Sequence, residues 1–253
     1  MANSNSWEKI FKDNNILKHD FSKEPFILKS KDIKHAVQDF KKTVEKEVRC
    51  LCKQDSREDV PDVMKENGLF LLPVINGIYA IIKGEGYMDI PEIKGKPEKY
   101  KTKMKFDRQT SKVGNSEMQH LDFAYASSII RTFMEDDSLV LTIRGRKYTP
   151  EFSFKVKNQK INVKSVQTEV DAGYEGKNQI VLVEAKNSKT KNTIIRQLFY
   201  PFKQWSTTTN KKVNLLFFEK RGNIFQIWQY KFTNENNYNS VKLVKSKKYI
   251  IEK

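Results

Sequence analysis

The stretch 167–189, QTEVDAGYEGKNQIVLVEAKNSK, constrains this chain more than any other. Its centre, Ile180-Val181-Leu182-Val183, is a short unbroken apolar run, the pattern of a strand buried on both faces. The run ends in Glu184 and Lys186, two residues apart and so on one face of the strand. Upstream, Glu169 and Asp171 have the same spacing at the end of another strand, and Glu175-Gly176-Lys177-Asn178 reads as the turn between the two. A hairpin-like return sets these strand ends side by side, so three carboxylates and one ammonium are expected at one edge of a sheet. Crowded carboxylates repel one another unless something neutralises them. A hard divalent cation does so, and Mg²⁺ characteristically takes one or two carboxylates together with waters and substrate phosphate. Such an ion polarises a phosphodiester, and an ammonium beside it can orient the attacking water or offset charge developing on phosphorus.

The plainer reading is a charged strand end that simply reaches solvent. Glu-x-Lys recurs at Glu92-Ile93-Lys94 and Glu175-Gly176-Lys177, and Asp32-Ile33-Lys34 is its Asp version. Those three fall in a loop, a turn and a helix start. Only Glu184-Ala185-Lys186 ends a buried-type strand with an acidic strand end upstream.

These residues resemble the PD-(D/E)XK nuclease signature, in which an acid on one strand is followed by Glu-x-Lys on the next. Over about forty residues, TEVDAGYEGKNQIVLVEAKNSKTKNTIIRQLFYPFKQW, the chain is similar to type II restriction endonucleases. The resemblance implies Asp171 and Glu184 as metal ligands, Lys186 as the catalytic lysine, and Glu169 as a further acid, either a ligand or one shell out. It implies Mg²⁺ as cofactor and double-stranded DNA as substrate. A two-fold homodimer, a companion DNA methyltransferase and a prokaryotic cytoplasm follow from the same resemblance. The chain departs from the named pattern at Val170, where a Pro precedes the first acid; that Pro is not needed for the chemistry. Gln197 and Tyr200 lie on the helix after the motif. Gln197 reads either as a group bonding a phosphate or water at the site or as ordinary helix packing, and Tyr200 reads as packing.

Charge agrees with a polyanionic partner. Lys and Arg number 47 against 31 Asp and Glu, a formal charge of +16 in 253 residues. Such a surface attracts nucleic acid first and acidic lipid second. The basic group Arg144-Gly145-Arg146 with Lys147 reads as a strand turn, suited to phosphates or a guanine edge, or else as a solvated hairpin tip. Lys245 to Lys248 read as a solvated face or a phosphate contact. Cys50 and Cys52 lack partners for a zinc site, and His19, His35 and His120 are scattered, so buried thiols and structural or exposed histidines are expected. No Walker-type loop is present, which disfavours an ATP-driven nuclease. The opening MANSNSWEKIFKDNN lacks the apolar run of a secretory signal, and the apolar stretch 69–82 is short and broken by Pro73, Asn76 and Gly77. A soluble, non-membrane chain is expected.

The expected class is α/β (α+β): a restriction-endonuclease-like core with a central mixed β-sheet flanked by helices, plus a smaller N-terminal domain of helices and a hairpin. Helices are expected over 31–52 and 59–66, and a hairpin around Asn76-Gly77; together these resemble a winged-helix layout. The Gly- and Lys-rich stretch 83–114 reads as a linker or long loop, with a domain boundary near residue 110. Residues 1–110 would hold or read DNA and 111–253 would cut it. In the second part a helix is expected over 117–134, strands over 139–144, 152–156, 161–171 and 179–186, a helix over 192–205 kinked or shortened by Pro201, and strands over 213–218 and 223–232. The same residues fit two other functions: a repair or junction-cutting nuclease with the same site, and a non-catalytic nucleic-acid-binding module.

Overall fold

The computed structural model describes residues 3–106, 109–110 and 114–252. Trp7, Ile10 and Phe11, spaced by three and four, put one buried face on the first helix, α1 (Ser4–Asp13). Strand β1 (Phe26–Lys29) leads into α2 (Ser30–Ala36), α3 (Thr43–Lys46), α4 (Val48–Leu51) and α5 (Asp62–Glu66). The single helix expected over 31–52 is thus three short ones. Ile33, Val37 and Val48 are buried, but Val44, which spacings of three and four along 33, 37, 40, 44 and 48 would put on the same helical face, is exposed, so the apolar stripe slips out of phase where the helix breaks. β2 (Leu69–Ile75) and β3 (Ile78–Lys83) form the hairpin signalled by Asn76-Gly77, with Gly77 at φ 78°, the left-handed conformation this tight turn needs. β1 pairs antiparallel with β3, giving the order β1–β3–β2.

The stretch 83–114, expected to be loop, contains β4 (Tyr87–Asp89) and β5 (Glu98–Lys101), two short edge strands whose partners lie far along the chain. Residues 107–108 and 111–113, beside the expected boundary near residue 110, lie outside the described residues. The helix expected over 117–134 is divided into α6 (Glu117–Ala126) and α7 (Ile129–Met134) by Ser128, which sits at φ 66° where a helix cannot continue.

The remaining elements are β6 (Val140–Tyr148), β7 (Phe152–Val156), β8 (Gln159–Val163), β9 (Gln167–Glu175), β10 (Gln179–Lys186), β11 (Asn192–Ile194), α8 (Arg196–Ser206), β12 (Lys212–Arg221), β13 (Ile224–Phe232) and β14 (Val241–Glu252). The strand expected over 161–171 is two. β8 closes a hairpin with β7, Ser165 turns the chain at φ 52°, and β9 then enters the main sheet. Among the described residues that sheet has seven strands in the order β5–β14–β13–β12–β10–β9–β6. It is mixed: β10 runs parallel to β12 and β14 to β5, while the other neighbours are antiparallel. The parallel step from β10 to β12 is made through α8, the crossover such a pair requires.

Both faces are covered. One packs on α6 and α7 through Leu121, Phe133, Tyr174, Val183 and Phe218. The other packs on α8 and continues into the N-terminal helices and hairpin, so that Trp7, Phe70, Leu182, Phe199 and Phe217 belong to one cluster. The aromatic residues Phe199, Tyr200, Phe217, Phe218 and Trp228 are wholly buried core residues. Lys245 to Lys248 lie within β14 and are largely committed: Lys245 pairs with Glu135 at 3.1 Å, Lys247 with Glu98 at 3.2 Å, and the Lys248 ammonium donates to the Ile93 carbonyl at 2.8 Å.

Candidate active site

Register brings the motif together. β9 and β10 pair antiparallel through Val183 and Ala172. One further step along the same register sets Glu184 beside Asp171, and opposed residues of a pair project to the same face. The Ala185 N–H donates to Asp171 Oδ2 at 2.7 Å, which ties the first acid to the backbone of the second strand. Lys186, two residues beyond Glu184, turns to the same side, and its ammonium donates to Glu184 Oε1 at 2.5 Å. Asp171, Glu184 and Lys186 all line one cleft of about 830 Å³ that runs between the sheet edge and the N-terminal hairpin.

Burial controls the charges here. It pushes Glu184 up to about 7, against the attraction of Lys186, with the neighbouring Asp171 and Asp55 adding to the rise. Asp171 is raised for the same first reason; the Ala185 N–H and Lys186 oppose the shift, and Glu117 and Glu169 assist it. Burial works against the Lys186 ammonium, but Glu184, Glu117 and Asp171 outweigh it, so Lys186 is held above its ordinary range and stays charged. Two reluctant carboxylates therefore share one ammonium in a half-enclosed site. Added positive charge would let both ionise.

Glu169 is placed differently from Asp171. It lies on the same cleft, but its carboxylate accepts from Arg146 Nε at 3.1 Å across the β6–β9 pair. The expected meeting of three carboxylates is therefore a close pair, with Glu169 beside it on an arginine. The cause is position: Glu169 is nearer the open end of β9, more than half exposed, and directly opposite Arg146 in the register. Among the described residues no three His, Cys, Asp or Glu side chains form a metal-holding group. The donor set nevertheless suits Mg²⁺, which needs only one or two carboxylates and completes its shell with water and phosphate oxygens.

Arg144, Arg146 and Lys147 are not a hairpin tip. They lie inside β6, the outermost strand, where Gly145 at φ 83° and two slips of register against β9 bend the edge. Arg146 reaches the cleft, Arg144 is engaged by Asp122 on α6, and Lys147 is exposed. Gln197 lines the cleft from the first turn of α8, its Oε1 accepting from Thr193 Oγ1 at 2.5 Å. Tyr200 faces away into the core and donates to the Pro73 carbonyl at 2.8 Å. Cys50 and Cys52 are unbridged thiols, and burial holds the Cys52 thiol up at about 12.

Five charged residues of the cleft have no counterpart in the sequence reading: Arg49, Lys53, Asp55, Glu117 and Arg196. Glu117 enters from the first turn of α6, and its only signal was its place at the start of the helix preceding the strands. Arg196 opens α8, beside Gln197. Asp55 comes from the loop after α4. Nothing local marks Asp55 as a site residue; only the packing of the N-terminal part on α8 brings it there.

No helix among the described residues is long and apolar enough to cross a membrane. No curated protein and no solved structure matches the chain. Two family matches divide it: residues 4–81 match a domain of unknown function, DUF6996, and residues 82–250 match a second, DUF6997. The second match carries every residue of the acid–lysine cluster and spans more than half of the sequence, and on it the chain belongs to the DUF6997 family.

Proposed function

We propose that this protein is a Mg²⁺-dependent endonuclease of restriction type that hydrolyses phosphodiester bonds of double-stranded DNA. The observation that carries the reading is the juxtaposition of Asp171, Glu184 and Lys186 in one cleft, where the β9–β10 pairing stops: Glu184 and Lys186 end β10, whereas Asp171 stands in the middle of β9, which runs on along β6. A charged strand end that merely reached solvent would not bury Glu184 to 9% exposure or hold both acids above their ordinary range. The resemblance to PD-(D/E)XK nucleases adds the roles. The mixed sheet, with helices ahead of the motif strands and α8 after Lys186, is the layout that resemblance implies.

In this reading Asp171 and Glu184 would hold the cation, and Glu169 and Glu117 line the same cleft. When bound, Mg²⁺ supplies Lewis-acid polarisation of the scissile phosphate. Lys186 keeps its proton, orients the attacking water and offsets negative charge gathering on the phosphoryl oxygens. Gln197 holds a phosphate oxygen or a water at the mouth of the site. The attacking water gives a proton to solvent as its oxygen bonds to phosphorus, the bond to the departing sugar oxygen breaks, and that oxygen takes a proton from solvent. Arg146 and Lys147, on the bent edge of β6, contact the DNA backbone, with Arg144 braced behind them by Asp122. The N-terminal part holds or reads the duplex; its helices before a hairpin, with sheet order β1–β3–β2, resemble a winged helix. A two-fold homodimer acting on a palindromic site, beside a companion methyltransferase, belongs to the same proposal.

The test is plasmid digestion with and without Mg²⁺ by the wild-type chain and by Lys186→Ala and Asp171→Ala. Discrete fragments from the wild type and losses of at least about 10³-fold in both variants are expected. Cleavage that persists in both variants refutes the site. Cutting confined to branched DNA would identify a junction nuclease using the same residues.

A further inference from the structure

The cleft holds a cation that the acid–lysine cluster does not use. Arg196, the first residue of α8, has a side chain only 23% exposed, yet among the described residues its sole acidic partner is Asp55, at 3.9 Å between Nη2 and Oδ1. No guanidinium N–H of Arg196 has an acceptor at hydrogen-bond distance among the described residues. Four tyrosines, Tyr79, Tyr87, Tyr200 and Tyr238, lie within reach of its charge, and burial keeps each hydroxyl protonated. Asp55 is itself divided, with Lys53 at 3.8 Å on its other oxygen.

A guanidinium with five donors, mostly withdrawn from water and loosely paired, is an unfinished arrangement. Its planar fork suits a phosphate better than the single distant carboxylate oxygen it now faces. The position is held firmly. Ile195 donates its N–H to the Gly86 carbonyl at 3.0 Å, and Ile194 donates to the Asp55 carbonyl at 2.9 Å, so both sides of the pair are pinned by backbone. Arg196 lines the same cleft as Glu184 and Lys186, and Asp55 lies close enough to Glu184 to raise it.

We propose that Arg196 is a phosphate-positioning residue, and that Asp55, supplied by the N-terminal part of the chain, holds its guanidinium until a nucleic-acid phosphate displaces the carboxylate. The inference rests on the nuclease reading of this cleft and adds a residue of the other half of the protein to it. A bound phosphate takes the donors that Asp55 cannot satisfy. Asp55 then remains with Lys53, and its repulsion of the incoming backbone is reduced.

The experiment measures binding of a fluorescent DNA duplex to the full chain in EDTA, where no cleavage occurs, across a series of salt concentrations. Arg196→Gln is expected to weaken binding about tenfold and to make the plot of log affinity against log salt shallower by about 0.9, one phosphate contact. Arg196→Lys keeps the charge and is expected to keep the slope, a result that loss of packing would not produce. Asp55→Asn is expected to tighten binding more in the wild-type background than in Arg196→Gln, where only the relief of charge repulsion remains. An unchanged affinity and slope in Arg196→Gln overturns the proposal, as does an Asp55→Asn gain that is equally large without the arginine. Should Arg196→Gln fail to fold by its thermal melt, Arg196→Lys and Asp55→Asn carry the comparison, and a slope lost in Arg196→Lys overturns it. Mg²⁺-dependent plasmid cleavage by the wild type is read separately. Its absence defeats the nuclease reading, whereas intact cleavage with an indifferent Arg196 defeats only this inference.

Discussion

Of the two acids in the proposed site, Glu184 is the one that burial raises to about 7, above the ordinary value of 4.5, and it faces Lys186, Asp171 and Asp55. The sign of the consequence is fixed by linkage. Between those two values the folded protein keeps a proton that the unfolded chain has already lost, so stability falls as pH rises through that window. Asp171, also raised, adds in the same direction at the lower end. Lys186 stays protonated throughout and contributes no slope. Without divalent cation, the melting temperature is therefore expected to be lower at pH 8 than at pH 5, and Mg²⁺ is expected to restore it at pH 8, where the carboxylates are ready to bind. Glu184→Gln removes the largest titration and should flatten the profile. Thermal melts in EDTA and in Mg²⁺ at the two pH values check this; a Glu184→Gln profile as steep as the wild type's would show that the slope arises elsewhere.

At the scale of elements, the pairing of β6 with β9 fixes where Asp171 and Glu169 stand, and it depends on one glycine. Gly173 is opposite Ile143, and a Cβ added there would lie 2.6 Å from Ile143 Cβ, closer than atoms can approach. Gly173→Ala must push β6 and β9 apart two residues from Asp171. The expected cost is about 2 kcal/mol in urea unfolding, with Mg²⁺ affinity falling alongside it, because the strand that carries the acid is displaced. A variant as stable as wild type would mean that the edge strand gives way freely. The motif strand itself was readable because its evidence is local: β10 is an apolar run ending in Glu184 and Lys186, and the hairpin at Asn76-Gly77 is likewise written in adjacent residues. What escaped the sequence depends on distant partners. β4 and β5 are three and four residues long and exist only because Asn192–Ile194 and β14 pair with them. β14 is rich in lysine and carries no clear alternation of polarity, yet it is sandwiched between two strands. The breaks at Ser128 and Ser165 come from left-handed backbone at residues that do not advertise it. Asp55 and Arg196 illustrate the same limit at the site, since a pair separated by so much chain meets only when two halves pack.

The whole molecule decides whether those halves are separable. The two family matches meet between residues 81 and 82, which is inside β3, the middle strand of β1–β3–β2. The physical core does not divide there either. Phe70 on β2 stacks against Tyr238 at 5.9 Å, the Tyr200 hydroxyl of α8 donates to the Pro73 carbonyl, and the Lys164 N–H after β8 donates to the Val74 carbonyl at 2.9 Å. A chain beginning at residue 82 keeps the acid–lysine cluster but loses β1, β2, most of β3 and one wall of the cleft. It leaves Phe154, Phe199, Tyr200 and Tyr238, now fully buried or nearly so, without their cover. An apolar surface of that extent favours association over a fixed fold. The 82–253 fragment is therefore expected to lack a sharp thermal transition, to bind a hydrophobic dye such as ANS, and to cut no DNA, although it holds Asp171, Glu184 and Lys186. The full chain should melt cooperatively under the same conditions. A fragment that melts in one sharp step, without dye binding, would show that the N-terminal part is an addition to a self-sufficient domain and that residues 1–81 serve DNA rather than the fold.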